Sequence, residues 1–134
     1  MRSIKLMIAS LMIMAWAPFG AQAHSMTPGY EKKFAPGDVV NLAYTIKNEY
    51  EFPAIYRLEV YDKEGHNLEE GWRVDKETVK LFSGNYKKVR LKIKMDEDVK
   101  ERKVLVCSVL HKVGYDEKDP TTISRVCSRL WLWR

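Results

Sequence analysis

Short motifs that mark common classes of enzyme are missing from this sequence. It contains no nucleophile elbow, phosphate-binding loop, metal-protease helix or paired catalytic carboxylates. Asp96, Glu97 and Asp98 are consecutive, but neighbours in a loop do not converge on one atom, and such charge runs stay hydrated. The sequence therefore predicts a protein that is not an enzyme, with no catalytic residue and no cofactor.

A strong excess of positive charge is also missing. The formal net charge is +5 over all 134 residues, and it falls to +3 without Arg2 and Lys5, which lie in the first 23 residues. That charge is too mild to argue for nucleic acid, and no basic stripe interleaved with aromatic residues is present. Lys and Arg alternate with apolar residues instead, which predicts solvated sheet faces and no nucleic-acid partner.

No apolar run is long enough to hold the chain in a membrane. The single long run, LMIASLMIMAW, is followed by Pro18 and Gly20 and falls short of the roughly 20 apolar residues of a membrane-spanning helix. With the small residues AQA after it, the run predicts a secretory signal peptide over residues 1–23, cleaved before His24. No cysteine follows the run for a bacterial lipid anchor, so we expect a soluble protein in the periplasm.

Cysteine is scarce, and the two that exist organise the C-terminal end. The remaining residues, 24–134, suit one domain with a single core. Cys107 and Cys127 lie on two runs of period-two alternation, and in an exported protein they are predicted to form a disulfide. That pairing sets three further pairs opposite each other, Leu105 with Arg129, Val109 with Arg125, and His111 with Ile123. It also predicts one core face, made of Val104, Val106, Leu110, Val126, Leu130 and Leu132.

Alternation predicts further strands along the rest of the domain. The long strands are VVNLAYTIKN, AIYRLEVY before a turn at residues 62–65, and YKKVRLKIKM. A short strand covers Tyr30 to Phe34, and two short edge strands fall within residues 66–82. The run DEDVKER is predicted to form one helical turn that connects the last of these strands to the C-terminal hairpin. With turn signals every 8–12 residues, the pattern predicts an all-β fold, a single immunoglobulin-like sandwich of about seven antiparallel strands with one disulfide.

The order of these segments resembles the amino-terminal domain of PapD-like periplasmic pilus chaperones and other bacterial immunoglobulin-like envelope modules. The resemblance covers nearly all of residues 24–134. It rests on FAPGD, on Asn48 at the end of the second strand (VVNLAYTIKN), on LFSG before a Val-x-Leu-x-Ile strand, and on the acidic crossover to VLVCSVLHK. It implies an immunoglobulin-like fold and recognition at strand edges. It does not extend to a second domain or to the Arg and Lys of the subunit-binding cleft, so a true chaperone function is not expected.

Two tryptophans near the C-terminus are the strongest sign of a binding surface. The cysteine register places Trp131 and Trp133 on the face opposite the core, together with Arg125 and Arg129. Exposed tryptophan beside arginine is typical of a binding hot spot. Two alternatives remain open: a loop such as the one carrying Trp72 covers the rings, or the core lies on this face. If the rings are exposed and coplanar, a carbohydrate-binding module becomes a third interpretation.

A copper site is the alternative function. Cleavage after residue 23 makes His24 the first residue, whose amine and ring nitrogen suit copper. Exported CopC-like sandwich proteins and lytic polysaccharide monooxygenases share that start, although the flanking sequence resembles neither. The further ligand would be His66 or His111, and neither forms a spacing motif with His24.

The sequence as a whole predicts a non-enzymatic periplasmic module for protein–protein interaction. We expect a subunit or assembly factor of a cell-envelope apparatus, such as a pilus, conjugation or secretion system, that binds through its C-terminal strand as an open sheet edge. The expected partners are proteins, and an oligomer is compatible with the pattern.

Overall fold

The computed structural model describes residues 24–134, so the predicted signal peptide lies outside the described residues. Strands form wherever the sequence alternates between apolar and polar residues, since side chains of a strand point to opposite faces in turn. The strands are β1 (His24–Thr27), β2 (Tyr30–Phe34), β3 (Val39–Asn48), β4 (Ala54–Asp62), β5 (Trp72–Val74), β6 (Thr78–Leu81), β7 (Tyr86–Lys94), β8 (Glu101–Val113) and β9 (Arg125–Trp133).

These strands form two sheets packed face to face, which confirms the predicted all-β sandwich. One sheet has the order β1-β3-β7-β5 and the other β2-β9-β8-β4-β6. The core between them is built from the inward positions of each strand. The largest buried apolar side chains include Tyr44, Ile46, Tyr56, Leu91, Ile93, Met95, Leu130 and Leu132.

The C-terminal hairpin has the predicted register. Cys107 and Cys127 are disulfide-bonded, Leu105 pairs with Arg129 and Val109 pairs with Arg125. The predicted core residues of β8 and β9 are buried, except Val126, which is partly buried against the core. The third predicted pair is wrong, because the ladder ends at Val109 and Arg125 and Ile123 lies before β9. Only the Leu110 N–H continues the pairing, donating to the Ser124 carbonyl over 2.9 Å.

Four sequence expectations need correction. There are nine strands in the described chain rather than about seven, and they are not all antiparallel, since β2 runs parallel to β9. Residues 96–102 form turns and the start of β8, with no helical turn. The prediction that the C-terminal strand is an open edge is wrong. β2 pairs along β9 from Tyr30–Arg129 to Phe34–Trp133, so β9 has neighbours on both sides.

The two short strands predicted in residues 66–82 are confirmed as β5 and β6, each at the edge of a different sheet. Within residues 24–134, the structure contains no helix that is long and apolar enough to span a bilayer.

Candidate protein-binding site

The predicted site residues lie on the outward face of the five-stranded sheet. Three cross-strand rows meet there, each centred on a residue of β9. Arg129 lies between Tyr30 of β2 and Leu105 of β8. The other two rows are Lys32–Trp131–Lys103 and Phe34–Trp133–Glu101. We call these nine residues the basic-aromatic face.

Trp131 occupies the middle of the basic-aromatic face and is flanked by two cations. The Lys32 and Lys103 ammonium nitrogens lie 4.1 and 4.6 Å from its ring centroid. Both distances are within the range of cation–π attraction, because the ring face carries the negative part of the quadrupole. Trp131 is half-buried as a result, and its indole N–H has no acceptor among the described residues.

Trp133 provides the most exposed apolar surface of the two tryptophans. Its ring packs against Phe34 with centroids 4.9 Å apart and planes tilted by 60°. Trp133 is 41% exposed and Phe34 50% exposed, so the pair forms a rigid apolar patch open to solvent. A patch of this kind is typical of a protein contact, because aromatic rings bury much area with few rotatable bonds.

A shallow groove of about 520 Å³ runs beside Trp131 on the same face. Its floor is apolar, formed by parts of Tyr30, Leu105 and Trp131. Its rim is basic, because Lys63, Lys103 and Arg129 line it and no Asp or Glu does. An acidic or carbonyl-bearing segment with an apolar side chain is the ligand that this combination suits.

Arg125 lies on the same outward face but apart from the tryptophans. It is six residues from Trp131 along β9, which is about 20 Å at strand spacing. Its guanidinium carbon is 4.8 Å from the ring centroid of Tyr61, whose hydroxyl donates to Glu59. The structure therefore brings Arg129, Trp131 and Trp133 together and places Arg125 in a separate cluster.

Two alternatives were open for Trp131 and Trp133: a loop carrying Trp72 covers them, or the core lies on their face. The structure agrees with neither. Trp72 belongs to β5 in the other sheet, where its indole N–H donates to the Leu68 carbonyl over 2.6 Å. The core lies on the opposite face of β9, with Leu130 and Leu132. The tryptophans are covered only in part, by the neighbouring lysines and Phe34.

His24, the residue proposed for copper, is fully buried at the start of β1. Its Nε2 lies 3.1 Å from the Ser108 carbonyl oxygen and 2.9 Å from the Ser108 hydroxyl, and its Nδ1 lies 3.2 Å from the Ser124 hydroxyl. The ring also packs against Tyr56 at 4.5 Å. Burial lowers the pKa of His24, and the hydrogen bond to the Ser108 backbone and the charge of Glu49 partly oppose that shift.

The other two histidines lie on separate elements. His66 is in the turn after β4 beside Asp62, and His111 is on β8. Across residues 24–134, no group of three or more His, Cys, Asp or Glu is close enough to hold a metal ion. Copper binding through His24, His66 and His111 stays an untested prediction.

Sequence reasoning missed five residues of the face: Tyr30, Lys32 and Phe34 of β2, and Glu101 and Lys103 of β8. Tyr30, Lys32 and Phe34 carry no local signal, because the parallel pairing of β2 with β9 joins segments about 100 residues apart. Lys103 could have been found, since extending the predicted cysteine register by four residues places it opposite Trp131.

Comparison with solved structures identifies the fold. The chain matches the E. coli chaperone DraB with TM-score 0.64 at 12% identity, over 82% of this chain and 54% of that one. It matches a chain of the Salmonella enterica SafA pilin in complex with the SafB chaperone with TM-score 0.62 at 12% identity, over 82% and 53%. A PapD-like domain of human CEP192 matches with TM-score 0.57 at 13% identity, over 84% of each chain.

These matches define the class of fold as a PapD-like immunoglobulin sandwich, as the sequence predicted. The chain spans about half the length of the chaperones it matches. No protein-family model matches the sequence, and no curated protein matches it.

Proposed function

We propose that this chain is an exported, non-enzymatic module for protein–protein interaction. It acts as a subunit or assembly factor of a periplasmic envelope apparatus, such as a pilus, conjugation or secretion system. The observation that carries the proposal is the exposed Trp133–Phe34 pair beside Trp131, Lys32 and Arg129. Two similar structures support it: one is of a pilin in complex with the SafB chaperone, and the other is of a chaperone–tip adhesion subunit pre-assembly complex.

The partner binds the outward face of β9 and not its edge. β2 and β8 already occupy the backbone hydrogen bonds on both sides of β9, so an added strand has no free donors or acceptors there. The partner instead buries Trp133 and Phe34 and places an acidic or carbonyl group against the basic rim of the groove.

Site-specific photo-crosslinking tests this proposal. A photoreactive phenylalanine analogue replaces Phe34 or Tyr30 on the basic-aromatic face, or Phe82 and Tyr115 elsewhere as matched controls, all four being exposed aromatic residues. We expect one discrete crosslinked envelope protein from the two face positions and none from the two controls. The same product from all four positions, or from the controls alone, would show that this face is not the contact.

Substitution then measures how much each ring contributes. Trp133→Ala should weaken binding of the crosslinked partner about 30-fold, the usual loss for a central aromatic hot spot. Phe82→Ala is the matched control, because Phe82 is exposed and also has a lysine near its ring. Equal affinities for the two variants would contradict the proposal, provided that both unfold at the wild-type temperature.

A further inference from the structure

The outward face of the other sheet is strongly charged with one sign. Antiparallel pairing of β3, β7 and β5 brings together six exposed cations and no acid at the outward positions of these strands. We call this surface the cationic face. Its six cations are Lys47, Arg73, Lys88, Arg90, Lys92 and Lys94.

The cations of the cationic face are not neutralised by neighbouring carboxylates. None of the six takes part in a salt bridge within the described chain. Six acids border the face. Four of them, Asp38, Asp96, Glu97 and Asp98, lie at the end of the face near Lys94. Of the other two, Asp75 accepts the backbone N–H of Arg90 over 3.0 Å, and Glu31 lines a shallow cleft beside β3 and β7. That cleft, of about 620 Å³, is otherwise lined by Lys33, Lys88, Arg90, Lys92 and five uncharged residues, and its size is sufficient for a polar headgroup.

This face makes the molecule electrically polarised. Residues 24–134 contain 21 Lys and Arg against 18 Asp and Glu, since all 18 acids follow residue 23 and two of the 23 basic residues precede it. With six of those cations on one face, 15 remain against 18 acids over the rest of the domain. The excess positive charge is therefore concentrated on one sheet, and a negatively charged plane would orient the molecule.

The centre of the cationic face suits a plane of charge better than a folded protein partner. Between the cations at the centre lie Asn41, Ala43 and Thr45, which are small. The exposed Val39 and Tyr86 lie at the two ends of the face, opposite Lys94 and Lys47. Protein hot spots depend on buried aromatic or aliphatic groups, and nucleic acids without sequence specificity use stacking aromatic residues. Along β7 the cations repeat about every 7 Å, so four of them extend over about 20 Å of nearly straight strand.

We propose that the cationic face docks the protein on an anionic phospholipid bilayer. The lysine and arginine side chains contact lipid phosphates over the whole sheet, and one headgroup occupies the cleft. The basic-aromatic face belongs to the other sheet, so it stays directed away from the lipid. The membrane contact does not depend on the partner proposed above, and the two are tested by different variants.

Vesicle co-sedimentation of the exported protein tests this proposal. Phosphatidylcholine vesicles with and without phosphatidylglycerol are compared, with a triple variant Lys88→Gln, Arg90→Gln and Lys92→Gln. The control triple variant, Arg57→Gln, Lys80→Gln and Lys118→Gln, removes the same charge from other exposed positions. All six side chains point into solvent, so both variants should fold.

Wild type and the control variant should bind the anionic vesicles alike, with binding lost as salt increases. The cationic-face variant should lose on the order of 100-fold in partition coefficient, about fivefold or more for each cation removed. Equal loss in the two variants would show that only net charge matters, and no loss in either would show that the face makes no contact. Binding to a soluble acidic polypeptide or to DNA, but not to vesicles, would also overturn the proposal.

Discussion

Asn48, at the end of β3, joins the two sheets through all of its side-chain hydrogen-bonding groups. Its amide nitrogen donates to the carbonyls of Phe52 and Leu81 over 2.9 and 3.0 Å. Its oxygen accepts from the Tyr50 N–H at 3.1 Å and the Tyr56 hydroxyl at 2.8 Å. Because it is fully buried and fully satisfied, Asn48 fixes the 49–53 loop against both β4 and β6.

Asn48→Asp should destabilise the fold by about 3 kcal/mol or more. The buried Leu81 carbonyl and the partly buried Phe52 carbonyl lose their donor and face a carboxylate instead. Urea unfolding measures this loss of stability. Asn85→Asp is the control, since Asn85 is exposed in the turn before β7 and its substitution should cost within about 0.5 kcal/mol. Equal costs at the two positions would mean that the Asn48 network is not essential to stability.

His24 links stability to pH. Burial holds its folded pKa below the unfolded value of 6.5, so the unfolded chain binds a proton first as pH falls. The stabilisation is therefore complete above about pH 6.5 and is lost as pH decreases through the folded pKa.

The free energy of unfolding should thus fall between pH 7 and pH 5, and His24→Gln should flatten that dependence. Asn85→Gln is the control, because Asn85 is exposed and carries no titratable group, and it should keep the wild-type slope. An unchanged slope in His24→Gln, measured by urea titration at each pH, would assign the dependence to other groups.

At the scale of elements, the disulfide joins β8 to β9 across a sequence separation of 20 residues. Closing a loop of that length in the unfolded chain contributes about 3 kcal/mol. Cys107→Ala with Cys127→Ala should lower the free energy of unfolding, measured by urea titration, by that amount. The hairpin register should be kept, because the alternating core residues still specify it. Loss of the native fold in the double variant would show that the register depends on the disulfide.

The pairing of β2 with β9 decides whether β9 is an edge. The Arg129 N–H donates to the Gly29 carbonyl over 3.0 Å, and the Ala35 N–H donates to the Trp133 carbonyl over 2.7 Å. Along an edge strand, every second residue directs its N–H and C=O toward the neighbouring strand. Since Ala35 bonds to β9, the N–H of Lys33 also points toward β9, and the N–H of Lys32 points away.

Lys33→Pro should therefore destabilise the fold and raise hydrogen exchange at the Arg129 amide, because it removes a ladder donor. Lys32→Pro, one residue earlier, should leave that amide protected. If both prolines are tolerated equally, β2 does not cover β9 in solution.

At the scale of the whole molecule, the two outward faces differ in chemistry and lie on opposite sides of the sandwich. One combines exposed aromatic rings with a basic groove, and the other is a plane of cations. A protein docked through the cationic face would present the basic-aromatic face to the aqueous space, where a protein partner could reach it.

This arrangement predicts where lipid quenchers act. In a Trp72→Phe background, the tryptophans of the described domain are Trp131 and Trp133. Brominated lipids should leave their emission unchanged when the protein sediments with anionic vesicles. Strong quenching would show that the aromatic face enters the bilayer and that the orientation proposed here is wrong.

Alternation along the sequence was enough to predict β2 to β9 as strands, though not β1, together with the disulfide and the core face of the C-terminal hairpin. These features follow from side chains that alternate every two residues, which is a local property of a strand and is visible without knowing its neighbours. Asn48 was also visible as the end of β3, although its partners were not.

The basic-aromatic face and the cationic face form only when distant segments of the folded chain come together. The parallel pairing of β2, the interior position of β9, the burial of His24 and the collection of six cations on one sheet all depend on contacts between distant segments. The sequence carries no local signal for these contacts. Alternation along one strand predicts which side chains face outward, but it does not predict which residues of other strands lie beside them.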